Sequence, residues 1–262
     1  MLGYAQDGIQ WTGVPMTALE TTAMAATATG LTKVYGEGNT RVAALDGVDI
    51  GFETGKLTSI MGPSGSGKST LLHCMAGLDT PTGGDVRIGD TPIATLDDKA
   101  LTLLRRQRMG FIFQAFNLVP TLTAEENILL PLLLGGRQAD EEWKAQVVDS
   151  LGLGDRLSHR PSELSGGQQQ RVAVARALVT RPDIIFADEP TGNLDSNSGQ
   201  EVLGFLRSAV DTWGQTVVMV THDPGAASIS DAVVFLRDGR IVGDLTSPTA
   251  DQILDRMRSL EA

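Results

Sequence analysis

The alternation of apolar and polar residues predicts strands along much of the chain. Leu31–Tyr35 and Val42–Phe52 follow the two-residue period of a strand, and the turn-rich segment 36–39 joins them. Continuous apolar runs predict short buried strands at Leu57–Met61 and Ile184–Asp188. Further short strands are predicted at Asp85–Ile88, Phe111–Phe113, Thr216–Thr221 and Ala232–Leu236, with an Asp-Gly hairpin signal after the last of them.

Helical periodicity occupies the intervals between these strands. Trp143, Val147 and Leu151 recur at the spacing of one helix face, after three acidic residues that suit a first turn. A helix over Ser198–Trp213 is predicted to bury the apolar stripe Val202, Phe205, Leu206, Ala209 and Val210. Strands that alternate with helices favour a mostly parallel sheet covered on both faces.

Composition excludes several classes of protein. The 262 residues carry 21 Lys and Arg against 32 Asp and Glu, a formal charge of −11, which argues against sequence-independent binding of nucleic acid. Cys74 is alone, so we expect a reducing compartment and neither a disulfide framework nor a cysteine-based zinc site. No apolar run reaches the roughly 20 residues of a membrane helix, because Ile128–Gly136 is short and contains Pro131. We therefore expect a soluble chain.

The first residues differ in character from the rest. No Lys or Arg precedes Lys33, so the basic start of a signal peptide is missing. Residues 1–26 are expected to form a disordered extension or to reflect a misassigned gene start, since Met16 and Met24 are alternative starts. They are not part of the predicted fold.

A glycine-rich segment follows the strand Leu57–Met61 and precedes a predicted helix, Lys68–Ala76. It matches G-x-x-x-x-G-K-[ST] in full and in the required strand–loop–helix context. Glycines let backbone N–H groups curl around a phosphate, while Lys68 reaches the terminal phosphates and Ser69 offers its hydroxyl to Mg²⁺. The segment predicts a nucleoside triphosphate site.

Two carboxylates, Asp188 and Glu189, stand at the carboxyl end of the predicted strand Ile184–Asp188. Ligands bind at the carboxyl ends of strands in open α/β sheets, so Asp188 and Glu189 are expected at that edge. Asp188 is predicted to reach Mg²⁺ and Glu189 to act on the attacking water. A surface strand end would explain the two acids equally well if they stood alone.

The segment Leu164-Ser-Gly-Gly-Gln168 places glycine amides at the start of another helix, which is a second anion-binding helix start. One domain needs one phosphate cradle for one ATP. The economical interpretation is that Ser165, Gly166 and Gly167 face the ATP held by another copy of the chain.

With these motifs in this order, the chain resembles the ATP-binding-cassette (ABC) ATPases, whose signature is LSGGQ. The resemblance implies that Tyr35 stacks on adenine, that Gln114 touches the metal and senses a transport partner, and that His222 contacts the γ-phosphate. It further implies that the loop Asn193–Asp195 crosses to the opposite site. Together, motifs and resemblance implicate Tyr35, Gly62, Pro63, Ser64, Gly65, Ser66, Gly67, Lys68, Ser69, Thr70, Gln114, Ser165, Gly166, Gly167, Gln168, Asp188, Glu189, Asp195 and His222.

The implied fold is α/β: a P-loop NTPase core of the RecA-like type with a mostly parallel sheet. An N-terminal antiparallel β subdomain and an inserted helical subdomain at about residues 95–182 complete it. The cassette is expected to span residues 27–250, followed by a C-terminal helix at 251–262 that Thr249 and Gln252 can cap.

Residues 110–120 and 122–127 around Gln114, together with residues 160–163 and 190–195, narrow the resemblance to the macrolide-export and lipoprotein-release branch. That branch implies a head-to-tail homodimer with ATP and Mg²⁺ at two composite sites, and an integral membrane permease at the cytoplasmic face of the membrane. The apolar strip 116–120 with 129–134 is expected to pack in the core, although it lies where relatives hold the coupling helix of the permease. No nucleic acid partner is expected.

Two alternatives belong to other classes of function. One is a regulator of a cell-envelope process such as cell division. The other is an ABC ATPase of DNA repair or translation. The repair type is disfavoured because Lys68 and Ser165 lie too close in sequence for an inserted coiled coil, and the translation type because its members carry two cassettes in one chain whereas one is expected here. His73 and His159 lack metal-ligand spacing and are expected to be structural. The basic cluster Arg105–Arg108 is expected to be a solvated helix face, with a membrane-proximal contact as the alternative.

Overall fold

The computed structural model describes residues 23–261, so the predicted extension lies almost wholly outside the described part of the chain. Ten strands are present in this range: β1 (Met24–Tyr35), β2 (Val42–Glu53), β3 (Leu57–Met61), β4 (Gly83–Ile88), β5 (Thr91–Pro92), β6 (Met109–Phe113), β7 (Ile184–Asp188), β8 (Val217–Val220), β9 (Ala232–Arg237) and β10 (Arg240–Thr246). The helices of the same range are α1 (Lys68–Met75), α2 (Asp98–Arg108), α3 (Ala124–Leu134), α4 (Glu141–Ser150), α5 (Gly166–Leu178), α6 (Ser196–Trp213), α7 (Pro224–Ala227) and α8 (Ala250–Glu261).

The strands form two sheets. An antiparallel sheet has the order β2-β1-β4-β5, and a six-stranded sheet has the order β10-β9-β3-β8-β7-β6. Within the larger sheet β9, β3, β8, β7 and β6 are parallel, and β10 is antiparallel at one edge. The parallel strands therefore present their carboxyl ends at one common edge.

Side chains of the central strands point alternately to the two faces of the large sheet, so the core is divided between the two faces. Ile185 and Ala187 of β7 pack into the cluster formed with helices α3 to α6. Ile184 and Phe186 point to the other face and pack with α1 and the antiparallel sheet. Successive side chains of a strand point to opposite faces, so a continuous apolar run indicates a strand covered on both sides.

The structure extends and limits several predicted elements. Strand β1 begins at Met24 rather than near Leu31, so the folded part starts before the predicted boundary at residue 27. Strand β6 lies inside the range 95–182 and pairs with β7, so that range contains a strand of the main sheet as well as helices. The C-terminal helix α8 begins at Ala250. Thr249 precedes it, and the Oγ1 atom of Thr249 accepts from the backbone N–H of Gln252.

The apolar strip near Gln114 is only partly in the core. Ile128 and Leu132 of α3 are buried, as expected. Leu133 and Leu134 are 61% and 64% exposed, so the expectation of core packing is wrong for these two residues. In the described part of the chain, no helix combines the length and the apolar character needed to cross a bilayer.

Candidate functional site

The glycine-rich loop 62–67 connects the buried strand β3 to helix α1. Gly62 and Gly67 have φ of 152° and 102°, a region that L-residues rarely occupy. A Cβ atom at Gly67 would lie 2.2 Å from the carbonyl oxygen of Ala44, and one at Gly62 would lie 1.9 Å from that of Leu236. The glycines are therefore required by packing within the chain, in addition to any requirement of a ligand.

Substitution of Gly67 by alanine is expected to lower the free energy of unfolding by about 2–4 kcal/mol, because the new methyl group meets backbone and the φ angle is strained. Chemical denaturation measures the change. Gly204→Ala is the matched control. Gly204 lies in α6, and apart from its chain neighbours and its own helix backbone no atom lies within 4 Å of the place that the new methyl group would take. This variant should be as stable as the unchanged chain or slightly more stable. Equal stability of the Gly67 variant and the unchanged chain would contradict the argument.

Lys68 bends back over the loop that it follows. Its Nζ donates to the carbonyl oxygens of Gly62 and Pro63 at 2.9 and 2.8 Å. Burial lowers the pKa of Lys68, and the charges of Glu189 and Asp188 act in the opposite direction. The Oγ atom of Ser66 is buried and has no hydrogen-bond partner among the described residues. A cation and an unpaired hydroxyl in one backbone cradle suit a phosphate group.

Asp188 ends strand β7 beside the first turn of α1. Its Oδ1 accepts from Ser69 Oγ at 3.1 Å, which brings together the two predicted metal ligands. Its Oδ2 lies 3.5 Å from Nε2 of His73, and the hydrogen bond to Asp188 raises the pKa of that imidazole against the effect of burial. His73, expected to be structural only, therefore lies beside the candidate site. It stands four residues after Ser69 on one helix face, and this spacing is the signal that could have placed it here.

Glu189 follows Asp188 in a left-handed backbone conformation with φ of 48°. Such strain in a residue other than glycine is common at functional sites. Its Oε1 lies 2.9 Å from Nδ1 of His222, which follows strand β8. The side chain of His222 is 74% exposed and that of Glu189 is 19% exposed. The two predicted catalytic side chains are thus in contact at the carboxyl edge of the sheet.

Gln114 lies at the same edge of the sheet, but its hydrogen bonds go to Asn193. Its Nε2 donates to Oδ1 of Asn193 at 3.0 Å, and Nδ2 of Asn193 donates to the carbonyl oxygen of Gln114 at 3.0 Å. Within the described residues, no hydrogen bond joins Gln114 to Ser69 or Asp188. The segment after β6 is therefore coupled directly to the segment after Glu189.

Two side chains of helix α5 support this edge and were not found from the sequence. Gln170 is fully buried, and its Nε2 donates to the carbonyl oxygens of Pro190 and Phe113 at 2.5 and 3.3 Å. Arg176 donates to the carbonyl oxygens of Phe116 and Asn117 at 2.8 and 2.6 Å. Both resemble ordinary polar residues of an amphipathic helix, so the sequence carried no signal for them.

The signature segment forms a capping box at the start of α5. Ser165 Oγ accepts from the backbone N–H of Gln168, and Gln168 Oε1 accepts from the backbone N–H of Ser165. In the described residues, no hydrogen bond or ion pair joins this segment to the loop 62–69. The structure thus brings Lys68, Ser69, Asp188, Glu189 and His222 together, and within the described residues the signature segment is not bonded to them.

Asp195 caps helix α6. Its Oδ1 accepts from the backbone N–H groups of Asn197 and Ser198, and its Oδ2 accepts from Ser198 Oγ at 2.7 Å. The bonds from Ser198 are the main cause of the lowered pKa of Asp195. Within one copy, Asp195 is therefore a helix cap next to the signature helix, where Gly167 approaches Ser198 closely.

Tyr35 ends strand β1 with 44% of its surface exposed. Its hydroxyl donates to Oδ2 of Asp79, in the turn after α1, at 2.6 Å. An exposed aromatic face close to the phosphate loop suits stacking on a base. Asp79 is not among the residues that the sequence motifs predict.

A profile of the family described as ABC transporter matches residues 45–192, more than half of the chain. The chain belongs to the ABC transporter family. An ABC transporter ATP-binding protein of Thermotoga maritima is 47% identical over 213 residues, which cover 80% of this chain and 91% of that protein. The macrolide export ATP-binding/permease protein MacB of Brucella melitensis is 47% identical over 216 residues.

This match covers 82% of the present chain and 33% of MacB, so the cassette spans about a third of the length of the macrolide-export relatives. Two solved structures of an ATP-binding cassette from Methanocaldococcus jannaschii have a TM-score of 0.77 and 42% identity, covering 85% of this chain and 99% of theirs. One is described as a dimer, and the other as a dimeric post-hydrolysis state bound to ADP and Pi. The predicted α/β fold and family are confirmed, and the chain is an ATPase of the ABC type.

The remaining predicted features take structural roles in the cassette. Arg105 donates to the carbonyl oxygen of Gly77 at 2.6 Å, and Arg108 pairs with Asp183, so these members of the basic cluster are engaged within the chain. Cys74 is buried, and burial raises the pKa of its thiol to about 11. A thiol with that pKa is protonated at neutral pH, which leaves it a packing residue.

Proposed function

We propose that this cassette is the ATP-hydrolysing subunit of a membrane transporter of the macrolide-export and lipoprotein-release type, working as a head-to-tail homodimer. The observation that carries the proposal is the division of the site. Glu189 and His222 stand with Lys68 at one edge of the sheet, while no hydrogen bond or ion pair among the described residues joins the signature helix start to them. Each half is then incomplete without the complementary half of a second copy.

In the proposed reaction, Lys68 binds the terminal phosphates of ATP through the cradle of residues 62–69. Glu189 orients the attacking water and accepts its proton, since a carboxylate in contact with an imidazole can serve as a general base. His222 holds that carboxylate and contacts the γ-phosphate. Tyr35 stacks on adenine, and Thr70 lies in the first turn of α1, next to Ser69.

The protein ligands proposed for Mg²⁺ are Ser69 and Asp188. Their oxygen atoms lie 3.1 Å apart, and hard oxygen donors suit this ion. When bound, Mg²⁺ supplies neutralisation of the phosphate charge. Gln114 is proposed as a further contact; its side-chain Nε2 donates to Oδ1 of Asn193.

The proposed partner is a permease, with the cassette on the cytoplasmic face of the membrane. The names of the MacB relatives combine ATP binding with a permease and support this partner. A groove of about 550 Å³ is lined by Leu78, Phe113, Pro131 and Leu134, and Phe113 directly precedes Gln114 in the chain. Leu78 and Leu134 are exposed, and such apolar side chains suit an apolar helix of the permease.

A complementation experiment tests the dimer and the composite site together. Lys68→Ala disables the phosphate loop of a copy, and Ser165→Arg disables its signature segment. Each variant alone should lack ATPase activity. An equal mixture should recover about a quarter of the original rate, because half of the dimers are mixed and each contains one intact composite site.

A mixture as inactive as its components, with mixed dimers detected by crosslinking, would contradict the head-to-tail arrangement. Glu142→Gln, at the exposed start of α4, is the control for the purification and mixing of variant chains. It should leave the ATPase rate unchanged. Co-purification with the permease from membranes, followed by ATPase assay with candidate substrates, tests the transport role separately.

A further inference from the structure

An ionic cluster lies behind the ring of Tyr35. Asp79 occupies the turn that follows α1, where the backbone N–H groups of Leu78 and Asp79 both donate to the carbonyl oxygen of His73, at 2.8 and 3.2 Å. This bonding attaches Asp79 to the end of the helix that begins with Lys68. The position of the carboxylate is thereby set by the phosphate-binding element itself.

Asp79 holds two side chains of strand β1. Its Oδ2 accepts from the Tyr35 hydroxyl at 2.6 Å, and its Oδ1 accepts from Lys33 Nζ at 2.5 Å. Lys33 also donates to the carbonyl oxygen of Thr80 at 2.7 Å and lies 4.7 Å from the centroid of the Tyr35 ring. The ring is thus fixed at its hydroxyl by one group and approached on its face by another.

The backbone of β1 is attached to the same turn. The N–H of Val34 donates to Thr82 Oγ1 at 3.0 Å, and the N–H of Thr82 donates to the carbonyl oxygen of Thr32 at 2.8 Å. The strand end therefore cannot shift relative to α1 without loss of several bonds. Tyr35 is therefore connected through Asp79 to helix α1, which begins with Lys68.

The charges in the cluster are mutually satisfied. The hydrogen bond that Lys33 donates to Asp79 raises the pKa of Lys33, although burial acts against it. Burial acts to raise the pKa of Asp79, but the hydrogen bonds from Lys33 and Tyr35 outweigh it and leave that pKa below its usual range. Burial and the bond to Asp79 raise the pKa of Tyr35, so its hydroxyl stays protonated and remains a donor.

We propose that Asp79 and Lys33 are positioning residues for the nucleotide base, which hold the ring of Tyr35 in the orientation that stacks on adenine. The inference rests on the proposed role of Tyr35 as the adenine platform. An exposed aromatic side chain left free loses rotamer freedom when a base stacks on it, and a ring fixed beforehand avoids that loss. Lys33 compensates the carboxylate, which otherwise stands as a negative charge near the polyphosphate.

The test compares ATP with inorganic tripolyphosphate, a ligand that uses the phosphate cradle and lacks the base. Asp79→Ala and Tyr35→Phe should each weaken ATP binding about threefold to tenfold, and Tyr35→Ala about 5- to 150-fold. None of the three should change tripolyphosphate affinity by more than about twofold. In the Asp79→Ala background, Tyr35→Phe should add no further loss, because both changes remove the same bond.

Controls separate the possible failures. Asp85→Ala removes an exposed carboxylate of the same sheet and should leave both affinities unchanged. If Tyr35→Ala leaves ATP affinity unaltered, the proposed adenine platform is wrong. If Tyr35→Ala weakens ATP while Asp79→Ala and Tyr35→Phe do not, only the positioning role is overturned. Equal weakening of tripolyphosphate by Asp79→Ala would also overturn it, since Asp79 would then act through the phosphate loop.

Discussion

Replacement of Glu189 by glutamine is expected to lower ATP turnover by about 10²- to 10⁴-fold while ATP binding is retained. The amide has nearly the same shape as the carboxylate, so contact with His222, now 2.9 Å from Glu189 Oε1, can be kept. It cannot accept a proton from the attacking water. Single-turnover phosphate release measures the loss, and equilibrium binding of ATP measures what is kept.

The same variant is expected to accumulate as a dimer with ATP. In the proposed arrangement, the γ-phosphate contacts the signature segment of the second copy, so a nucleotide that is not hydrolysed keeps the two copies together. Light scattering with ATP, and again with ADP, reports the assembly. A variant that stays monomeric with saturating ATP would exclude the composite site, and one that retains full turnover would remove Glu189 from the role of base.

Replacement of Lys68 by alanine is expected to abolish measurable ATP binding, through a loss of about 2–5 kcal/mol of binding free energy. The ammonium group is partly buried and lies on the loop that is proposed to surround the phosphates, at 2.8 Å from the carbonyl oxygen of Pro63. Without it, the loop 62–69 offers the triphosphate no cationic side chain, and the carboxylates of Asp188 and Glu189 lie nearby.

A suitable control for this variant is Lys56→Ala. Lys56 has a half-exposed side chain, 4.0 Å from Asp231 and outside the loop, so its removal should leave ATP affinity unchanged. Circular dichroism establishes that the Lys68 variant is folded, since its side chain also bonds the loop carbonyls. A folded Lys68→Ala chain with unaltered ATP affinity would refute the role assigned to this lysine.

Prediction of the elements succeeded where the local pattern is strong. The predicted strand Ile184–Asp188 has the observed bounds of β7, because a continuous apolar run ends abruptly in charge. The start of β1 at Met24 was missed because its first residues are small and show no clear alternation. Ala26 and Ala28 are buried there through pairing with β2 and β4, which is a tertiary event.

Three features could be predicted from neighbouring residues alone: the phosphate loop, the two acids at the end of β7 and the signature segment at the start of α5. These motifs can be recognised from consecutive residues, although the loop 62–67 also packs against the distant backbone of Ala44 and Leu236. The contacts that complete the site were decided by packing. Asp79 with Tyr35, and Gln170 with Pro190, join segments that lie far apart in sequence and meet only when the sheets and helices assemble. In the sequence, a polar residue that bonds to a distant backbone carbonyl or hydroxyl cannot be told from a solvent-exposed polar residue. Its burial and the distance to its partner are known only from the folded structure.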